Sequence, residues 1–71
     1  MRIINQDRTE SVEMETGIVE LLNNIVKFRS VHDKEVKSTL GAYKTSIRAK
    51  EVFDEMHVEY RMSTIYEMPE S

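Results

Sequence analysis

The amino-acid sequence predicts an α+β fold: a small antiparallel β-sheet of four to five short strands with one amphipathic helix packed on one face. Two observations carry this prediction. The first 43 residues consist of short segments in which apolar and polar side chains alternate, as in strands with one buried face. A longer segment without glycine or proline follows, with apolar residues at helical spacing. Because one helix laid on one sheet forms a two-layer unit, we predict a single domain over residues 1–71.

The predicted elements are bounded by polar turns and by a few residues with special backbone preferences. The helix is predicted near residues 46–61, because the hydroxyl of Thr45 or Ser46 can accept a hydrogen bond from one of its first amides. Pro69 prevents the last segment from continuing as an inner strand. The predicted strands lie near residues 2–5, 11–15, 18–22, 25–31, 36–43 and 64–68.

The strongest hairpin signal is the pair Asn23-Asn24 between two apolar runs. Asparagine tolerates the positive φ that a two-residue hairpin turn needs. The leucine-rich stretch "IVELLNNIVKF" is also compatible with a helix. The alternation of Val26 and Phe28 with charged neighbours favours two strands.

The next strand contains Gly41, and a glycine within a strand indicates a β-bulge or the close approach of another backbone. Simple alternation sorts the side chains of this strand onto two faces. One face holds Val36, Ser38, Leu40 and Ala42, and the other holds Lys37, Thr39 and Tyr43.

One side of the predicted helix is apolar. At about 100° per residue, the side chains that share this buried stripe are Ala49, Val52, Phe53, Met56 and Tyr60. Because Phe53 belongs to the stripe, we expect Phe53→Ala to cost roughly 3–5 kcal/mol of stability.

The helix segment "EVFDEMHVEY" holds four carboxylates and one histidine. Glu51, Glu55 and Glu59 follow one another at four-residue spacing and form an acidic ridge, whereas His57 shares a side only with Asp54. A metal site needs three or four ligands that converge from one direction. We therefore predict no metal site, and interpret His57 as a ring at the border of the apolar stripe.

The residue patterns of other chemistry are missing from the sequence. The chain has no cysteine, which excludes disulfides and cysteine nucleophiles, and its two glycines do not form a phosphate-binding loop. No serine stands in a pattern with histidine and a carboxylate. We therefore expect no catalytic residues, no cofactor and no enzymatic activity. No segment approaches the roughly 20 apolar residues of a membrane span, so we expect a protein without membrane contact.

Charge is segregated along the chain, although the total is only −3. Residues 1–20 sum to −3, residues 27–50 to +5 and residues 51–71 to −5. Such blocks either attract each other within the fold, remain solvated, or mark an interaction surface.

An open sheet face offers one function hypothesis. If the helix covers one face, the other face presents a basic and aromatic set: Lys27, Arg29, Lys37 and Tyr43. Such a platform binds single-stranded nucleic acid by charge and stacking. The single aromatic residue and the acidic total charge make nucleic-acid binding the second hypothesis.

Self-association is the first hypothesis. A thin sheet with one helix leaves a face and two edges uncovered, and a chain shorter than about 70–80 residues usually needs a disulfide, a metal or a partner chain. We predict a homodimer or higher homo-oligomer that acts through protein–protein contacts. The residues expected to supply the contacts are Ile18, Leu22, Ile25, Val31, Ile47, Val58, Met1, Met62 and Met68.

Three stretches carry a family resemblance: "MRIINQD" at the start, "GAYKTSIRAKEVFDEMH" in the middle and "IYEMPE" at the end. They resemble a group of small uncharacterised proteins from phages and prophages of Gram-positive bacteria, including staphylococcal phages. This resemblance implies a phage-encoded protein in the cytoplasm of a bacterial host, where we expect an unknown host or phage protein as a further partner, and it implies no activity. Arg8 stands where a glycine often follows the "QD" pair, which leaves the type of the first turn open. The matching positions are 1–7, Leu40, Gly41, Tyr43, Ala49, 51–53 and 66–69.

Overall fold

The computed structural model describes residues 1–33, 35 and 37–71, and it is a small α+β domain. Val36, the predicted first residue of the fifth strand, lies outside the described residues. A short 3-10 turn, Met14–Thr16, follows the second strand. The elements in chain order are β1 Arg2–Ile4, β2 Ser11–Glu13, β3 Gly17–Leu22, β4 Ile25–Ser30, β5 Lys37–Ala42, α1 Ser46–Glu59 and β6 Ile65–Glu67.

The strands of the described residues form two three-stranded sheets, which differs from the predicted single antiparallel sheet of four to five strands. The first sheet has the order β2-β1-β6, and the second has the order β3-β4-β5. Strand β6 lies parallel to β1, and the chain between these two strands contains β2 to β5 and the helix. The 3-10 turn between β2 and β3 separates the two sheets along the chain.

The first sheet is centred on Ile3, which is fully buried opposite Val12 of β2 and Tyr66 of β6. The turn between β1 and β2 is organised by the buried Asn5, whose Oδ1 accepts hydrogen bonds from the amides of Thr9 and Glu10 at 3.0 and 3.1 Å. This buried amide oxygen replaces the hydrogen bonds that a tighter turn would make between backbone groups.

The second sheet contains the predicted hairpin, and the helical alternative for this stretch is wrong. Strands β3 and β4 pair antiparallel from Gly17 opposite Ser30 to Leu22 opposite Ile25. Asn23, the first of the two turn residues, has a φ of 54°. The positive φ expected for this turn is therefore confirmed.

Strand β5 contains the β-bulge that Gly41 predicted. Val26 pairs with Gly41 whereas Lys27 pairs with Thr39, so Leu40 is the extra residue on β5. The close neighbour of Gly41 is a side chain rather than the other backbone that was the second expectation, because a Cβ at Gly41 would lie 2.8 Å from the hydroxyl oxygen of Tyr43.

Helix α1 begins with the predicted cap, since Thr45 Oγ1 accepts a hydrogen bond from the amide of Arg48 at 3.0 Å. Ala49, Val52 and Met56 are buried, and the helix contacts β3 and β4. The outer members of the predicted stripe are less buried than expected. Phe53 is half-buried at the margin of the core, and Tyr60 is 45% exposed because the helix ends at Glu59.

Both sheets and the helix contribute to one hydrophobic core. The first sheet supplies Ile3 and Tyr66, and the second supplies Val26, Phe28 and Leu40. The core thereby fixes which face of the second sheet points inward and which face points to solvent.

Candidate functional site

The outer face of the second sheet carries three of the four residues proposed for an interaction surface. Lys27, Arg29 and Lys37 line one shallow depression of about 290 Å³, together with Glu20 and Leu22. In the strand register Lys27 lies opposite Glu20, and Arg29 lies opposite Lys37. We call this surface, formed by Glu20, Lys27, Arg29 and Lys37, the basic sheet face.

One ion pair lies within the basic sheet face. Arg29 Nε donates to Glu20 Oε1 at 2.9 Å, and both side chains remain about 40% exposed. Within the described residues, the amines of Lys27 and Lys37 have no carboxylate within 4 Å. Three cations against one carboxylate leave the face with a net charge of +2.

Tyr43 does not belong to the basic sheet face, so this part of the predicted surface is wrong. The ring is buried in the core, and its hydroxyl donates to the carbonyl oxygen of Pro69 at 2.9 Å. Burial raises the pKa of the Tyr43 hydroxyl above its usual value. The extra residue Leu40 reverses the alternation along β5, which turns Tyr43 inward and leaves Ala42 exposed.

Apolar side chains of strand β3 lie beside the basic residues of β4. Ile18 and Leu22 are 43% and 49% exposed, and each of the six residues of β3 remains half-buried or exposed. Strand β3 also forms one edge of its sheet. Within the described part of the chain, residues 18–22 make backbone hydrogen bonds only to β4. Strand β3 is therefore an apolar edge strand with no buried residue.

The other residues expected to supply contacts are divided between surface and core. Ile25 and Met1 are half-buried, and Met68 is completely buried, which removes it from the predicted contact surface. Met68 is buried because its amide donates to the carbonyl oxygen of Ile4 and so continues the alignment of β6 with β1. The exposed residues of this set, besides Ile18 and Leu22, are Val31, Ile47, Val58 and Met62.

The solvent-facing side of helix α1 forms a second surface. Ile47, Glu51, Asp54 and Val58 are all exposed and follow one another at spacings of four, three and four residues. We call these four residues the outer helix stripe. Its carboxylates are paired along the helix, Glu51 with Arg48 at 3.7 Å and Asp54 with Lys50 at 3.0 Å.

The other two glutamates of the ridge have roles within the fold that their spacing did not predict. Glu55 Oε1 accepts a hydrogen bond from the Tyr66 hydroxyl at 2.7 Å. Burial, and then this hydrogen bond, raise the pKa of Tyr66 well above its usual value. Glu59 Oε2 accepts from Ser63 Oγ at 2.7 Å. These two residues attach the helix to the segment that follows it.

His57 is held by its own helix. Its Nδ1 lies 2.7 Å from the carbonyl oxygen of Phe53, and the two rings pack with centroids 4.4 Å apart. Asp54, the one acidic neighbour expected beside His57, is bonded to Lys50 instead. Among the described residues, no group of three or more potential ligands is placed to hold a metal ion.

In the part of the chain that the structure describes, the basic strands and the acidic helix form no ion pairs with each other. Within residues 1–33, 35 and 37–71, the ion pairs of the helix are internal, and Arg29 is paired with its neighbour on β3. The remaining two pairs lie in the first sheet and its 3-10 turn: Arg2–Glu13 and the Met1 ammonium–Glu15. Close ion pairs between the basic strands and the acidic helix therefore do not account for the charge segregation in the described residues.

A scan against protein-family models finds no match for this chain, and searches of curated proteins and of solved structures likewise give no significant match. In the described residues, no helix has the length and apolarity needed to cross a membrane.

Proposed function

We propose that this chain is a non-enzymatic accessory protein that acts through protein–protein contacts and forms a homo-oligomer. The observation that carries the proposal is strand β3, an apolar edge strand whose residues all remain half-buried or exposed. Uncovered edges of this kind pair with other chains unless charge, proline or a covering segment blocks them. Glu20 is the only charged residue of β3, and it is already paired with Arg29.

The apolar side chains of β3 supply the driving force. Complete burial of an isoleucine or leucine side chain is worth about 1.5–3 kcal/mol relative to full exposure. Ile18 and Leu22 are each close to half exposed, so a partner that covers both on each of two chains recovers a substantial part of this energy. That gain has to exceed the free-energy cost of the translational and rotational freedom lost on association. Backbone hydrogen bonds along the β3 edge and pairing of nearby charges would add to the gain.

Size-exclusion chromatography with light scattering tests the proposal. Ile18→Lys with Leu22→Lys is expected to lower the mass of the assembly towards that of one chain, because both lysines would need to be desolvated at the contact. Ile65→Lys is the matched control, since Ile65 is similarly exposed but lies on β6 in the other sheet. Equal masses for both variants and the unmodified chain would contradict a role for β3.

The ionisable groups with shifted pKa values support a structural rather than catalytic use. Each is bound to another group of the chain. Asp7 is bound to Thr9 within one turn, and the other three pairs join separate segments: Glu15 with the Met1 ammonium, Tyr43 with Pro69 and Tyr66 with Glu55. Catalytic groups with shifted pKa values commonly face a cleft where a substrate can bind. These four groups instead bind other parts of the chain.

Nucleic-acid binding is the second candidate, and one observation favours it. Lys27, Arg29 and Lys37 lie together in one depression, as a phosphate-binding surface requires. The buried Tyr43 ring cannot stack on a base from this face. A mobility-shift assay at low salt with single-stranded and duplex probes tests this candidate. Binding that falls steeply with salt and is lost in Lys27→Glu with Arg29→Glu would support it, and no shift with either probe would refute it.

We also propose that the protein is encoded by a phage and resides in the cytoplasm of a bacterial host. The support is the resemblance of its opening, middle and closing stretches, "MRIINQD", "GAYKTSIRAKEVFDEMH" and "IYEMPE", to small phage and prophage proteins. Fractionation of an infected culture, with detection by an antibody, tests this placement. Recovery in the envelope fraction alone would contradict it.

A further inference from the structure

We infer that the partner of the basic sheet face is the outer helix stripe of a second copy of this chain, so that copies associate head to tail. This inference rests on the proposed self-association and names the two surfaces that meet. Charge complementarity and matched spacing of the apolar residues support it.

The outer helix stripe has apolar ends and an acidic centre. Spacings of four, three and four residues keep its members on one side of a helix. Ile47 and Val58 are 74% and 62% exposed, so these two apolar side chains contribute little to the packing of the helix on its own sheet. At 1.5 Å per residue these two ends lie about 16 Å apart, with Glu51 and Asp54 between them.

The basic sheet face has the complementary pattern. Ile18 and Leu22 lie on the same side of the sheet as the basic residues. They are four residues apart on β3, which corresponds to about 14 Å along a strand. Lys27 and Arg29 lie beside them on β4, opposite Glu20 and Ile18. A helix laid over this face can therefore place its apolar ends near Ile18 and Leu22. Its carboxylates then lie near Lys27, which is level with the middle of β3, and near Arg29, which is level with Ile18 and paired with Glu20.

The charges of both surfaces can change partners at little cost. The pairs Glu51–Arg48 and Asp54–Lys50 are exposed, and such pairs contribute at most about 1 kcal/mol. The outer helix stripe itself holds two carboxylates, Glu51 and Asp54, and no cation, so its own four residues carry a charge of −2. The basic sheet face has a net charge of +2. Opposite charges of equal size favour docking of one surface on the other and disfavour docking of either on its own kind.

The two surfaces cannot meet within one chain. Helix α1 packs on β3 and β4 through its buried residues Ala49, Val52 and Met56, which leaves the stripe on the side facing away from the sheet. The basic side chains project from the opposite face of that sheet. Each copy therefore offers one surface of each kind, and such contacts build rings or open chains rather than a closed twofold dimer.

Mixing two variants tests this inference by sedimentation velocity. The first variant is Lys27→Glu with Arg29→Glu, and the second is Glu51→Lys with Asp54→Lys. Each alone is expected to sediment as a single chain, because like charges then face each other across the contact. A one-to-one mixture is expected to regain species of two or more chains, because each variant supplies a surface that the other has altered.

Lys44→Glu with Glu70→Lys is the control, since these exposed residues lie outside both surfaces. Circular dichroism melting of every variant checks the fold, and Glu51→Gln with Asp54→Asn replaces the second variant if charge reversal unfolds the helix. Assembly by either altered variant alone at the level of the unmodified chain, or a mixture that stays monomeric, would overturn the inference. In that case an unmodified chain that still assembles retains the proposed function, with β3 edge pairing as the contact. An unmodified chain that is monomeric at every concentration would overturn both.

Discussion

Arg8 adopts a backbone conformation that usually favours glycine. Its φ of 64° lies in the left-handed region, where a side chain is unfavourable. Its guanidinium donates to the carbonyl oxygen of Asn5 at 3.0 Å and to that of Met68 at 2.8 Å. The residue thus accepts an unfavourable backbone conformation and links the first turn to the segment after β6. The sequence pattern identified the unusual position, but not the distant carbonyl that Arg8 binds.

Two substitutions separate the backbone and side-chain roles of Arg8. Both Arg8→Ala and Arg8→Gly remove the guanidinium hydrogen bonds to Asn5 and Met68 and keep the hydrogen bond from the amide of residue 8 to the Asn5 carbonyl oxygen. Only alanine retains the left-handed penalty, so we expect Arg8→Ala to be less stable than Arg8→Gly by about 1 kcal/mol. Urea unfolding measures the difference. Equal stability of the two variants would show that the backbone of this turn relaxes without cost.

The contact between Tyr66 and Glu55 joins β6 to the helix. Because the hydroxyl donates to a carboxylate at 2.7 Å, we expect Tyr66→Phe to cost about 1 kcal/mol. A double-mutant cycle with Glu55→Gln isolates the pair from other effects. Strictly additive losses in the cycle would contradict a direct interaction.

Asp7 makes the first turn sensitive to acid. The hydroxyl of Thr9, followed by its amide, donates to the Asp7 carboxylate and lowers the pKa of this group below its ordinary value of 3.8. A lowered pKa stabilises the folded state above pH 3.8, and this contribution is lost as the pH falls through the lowered value. We therefore expect Asp7→Asn to melt with a smaller loss of Tm between pH 5 and about pH 2–3 than the unmodified chain. Thr9→Val, which removes the hydroxyl donor, should reduce the same loss. Unchanged pH profiles in both variants would contradict this role.

At the level of elements, local signals succeeded where a single residue determines the geometry. The positive φ of Asn23 closes the β3–β4 hairpin, and the Thr45 hydroxyl caps the helix. The faces predicted for β5 from simple alternation were wrong, because alternation does not account for an inserted residue. Gly41 indicated a bulge, but the position of the extra residue depends on pairing with β4, and that position decides that Tyr43 points inward.

Gly41 allows the Tyr43 ring to lie against the strand. A Cβ there would lie 2.8 Å from the Tyr43 hydroxyl oxygen, and the ring cannot move freely because it is buried and bonded to Pro69. We expect Gly41→Ala to cost about 1–3 kcal/mol of stability, as overpacking typically does. Tyr43→Phe should relieve only a small part of this cost, since the ring carbons Cε2 and Cζ would still lie 2.9 and 3.1 Å from the added Cβ. A thermal melt in which Gly41→Ala is neutral would contradict this close packing.

The position of the helix on its sheet revises the expected cost of Phe53→Ala. Met56 is completely buried whereas Phe53 lies at the margin of the core against His57. We expect Met56→Ala to cost about 2–5 kcal/mol, and Phe53→Ala to cost less than Met56→Ala. Chemical denaturation of both variants measures the order. A larger loss of stability for Phe53→Ala than for Met56→Ala would contradict this order and would indicate that Phe53 contributes more to the core than Met56.

At the level of the whole molecule, the division into two sheets lay beyond what local patterns determine. The parallel pairing of β1 with β6 joins residues more than 60 positions apart, from Arg2 opposite Ile65 to Ile4 opposite Glu67. Neither strand carries a signal for its partner, since each consists of three residues. The α+β class was predictable because it requires only the types of elements and their order.

The candidate surfaces were predictable in part for the same reason. Alternation placed Lys27 and Arg29 on one face of β4, and hairpin pairing places Glu20 beside them. Charge blocks along the chain indicated oppositely charged surfaces. Their separation on opposite sides of the domain depends on which face the helix covers. That separation is what makes the two surfaces available to a second copy.

Sedimentation equilibrium of the unmodified chain over a wide range of micromolar concentrations tests the central claim most directly. Self-association predicts a weight-average mass that rises above the 8.4 kDa of one chain with concentration and returns to it on dilution. Higher salt should shift the rise to higher concentration, because charged surfaces contribute to the contact. A mass that stays at 8.4 kDa throughout the range would contradict the account.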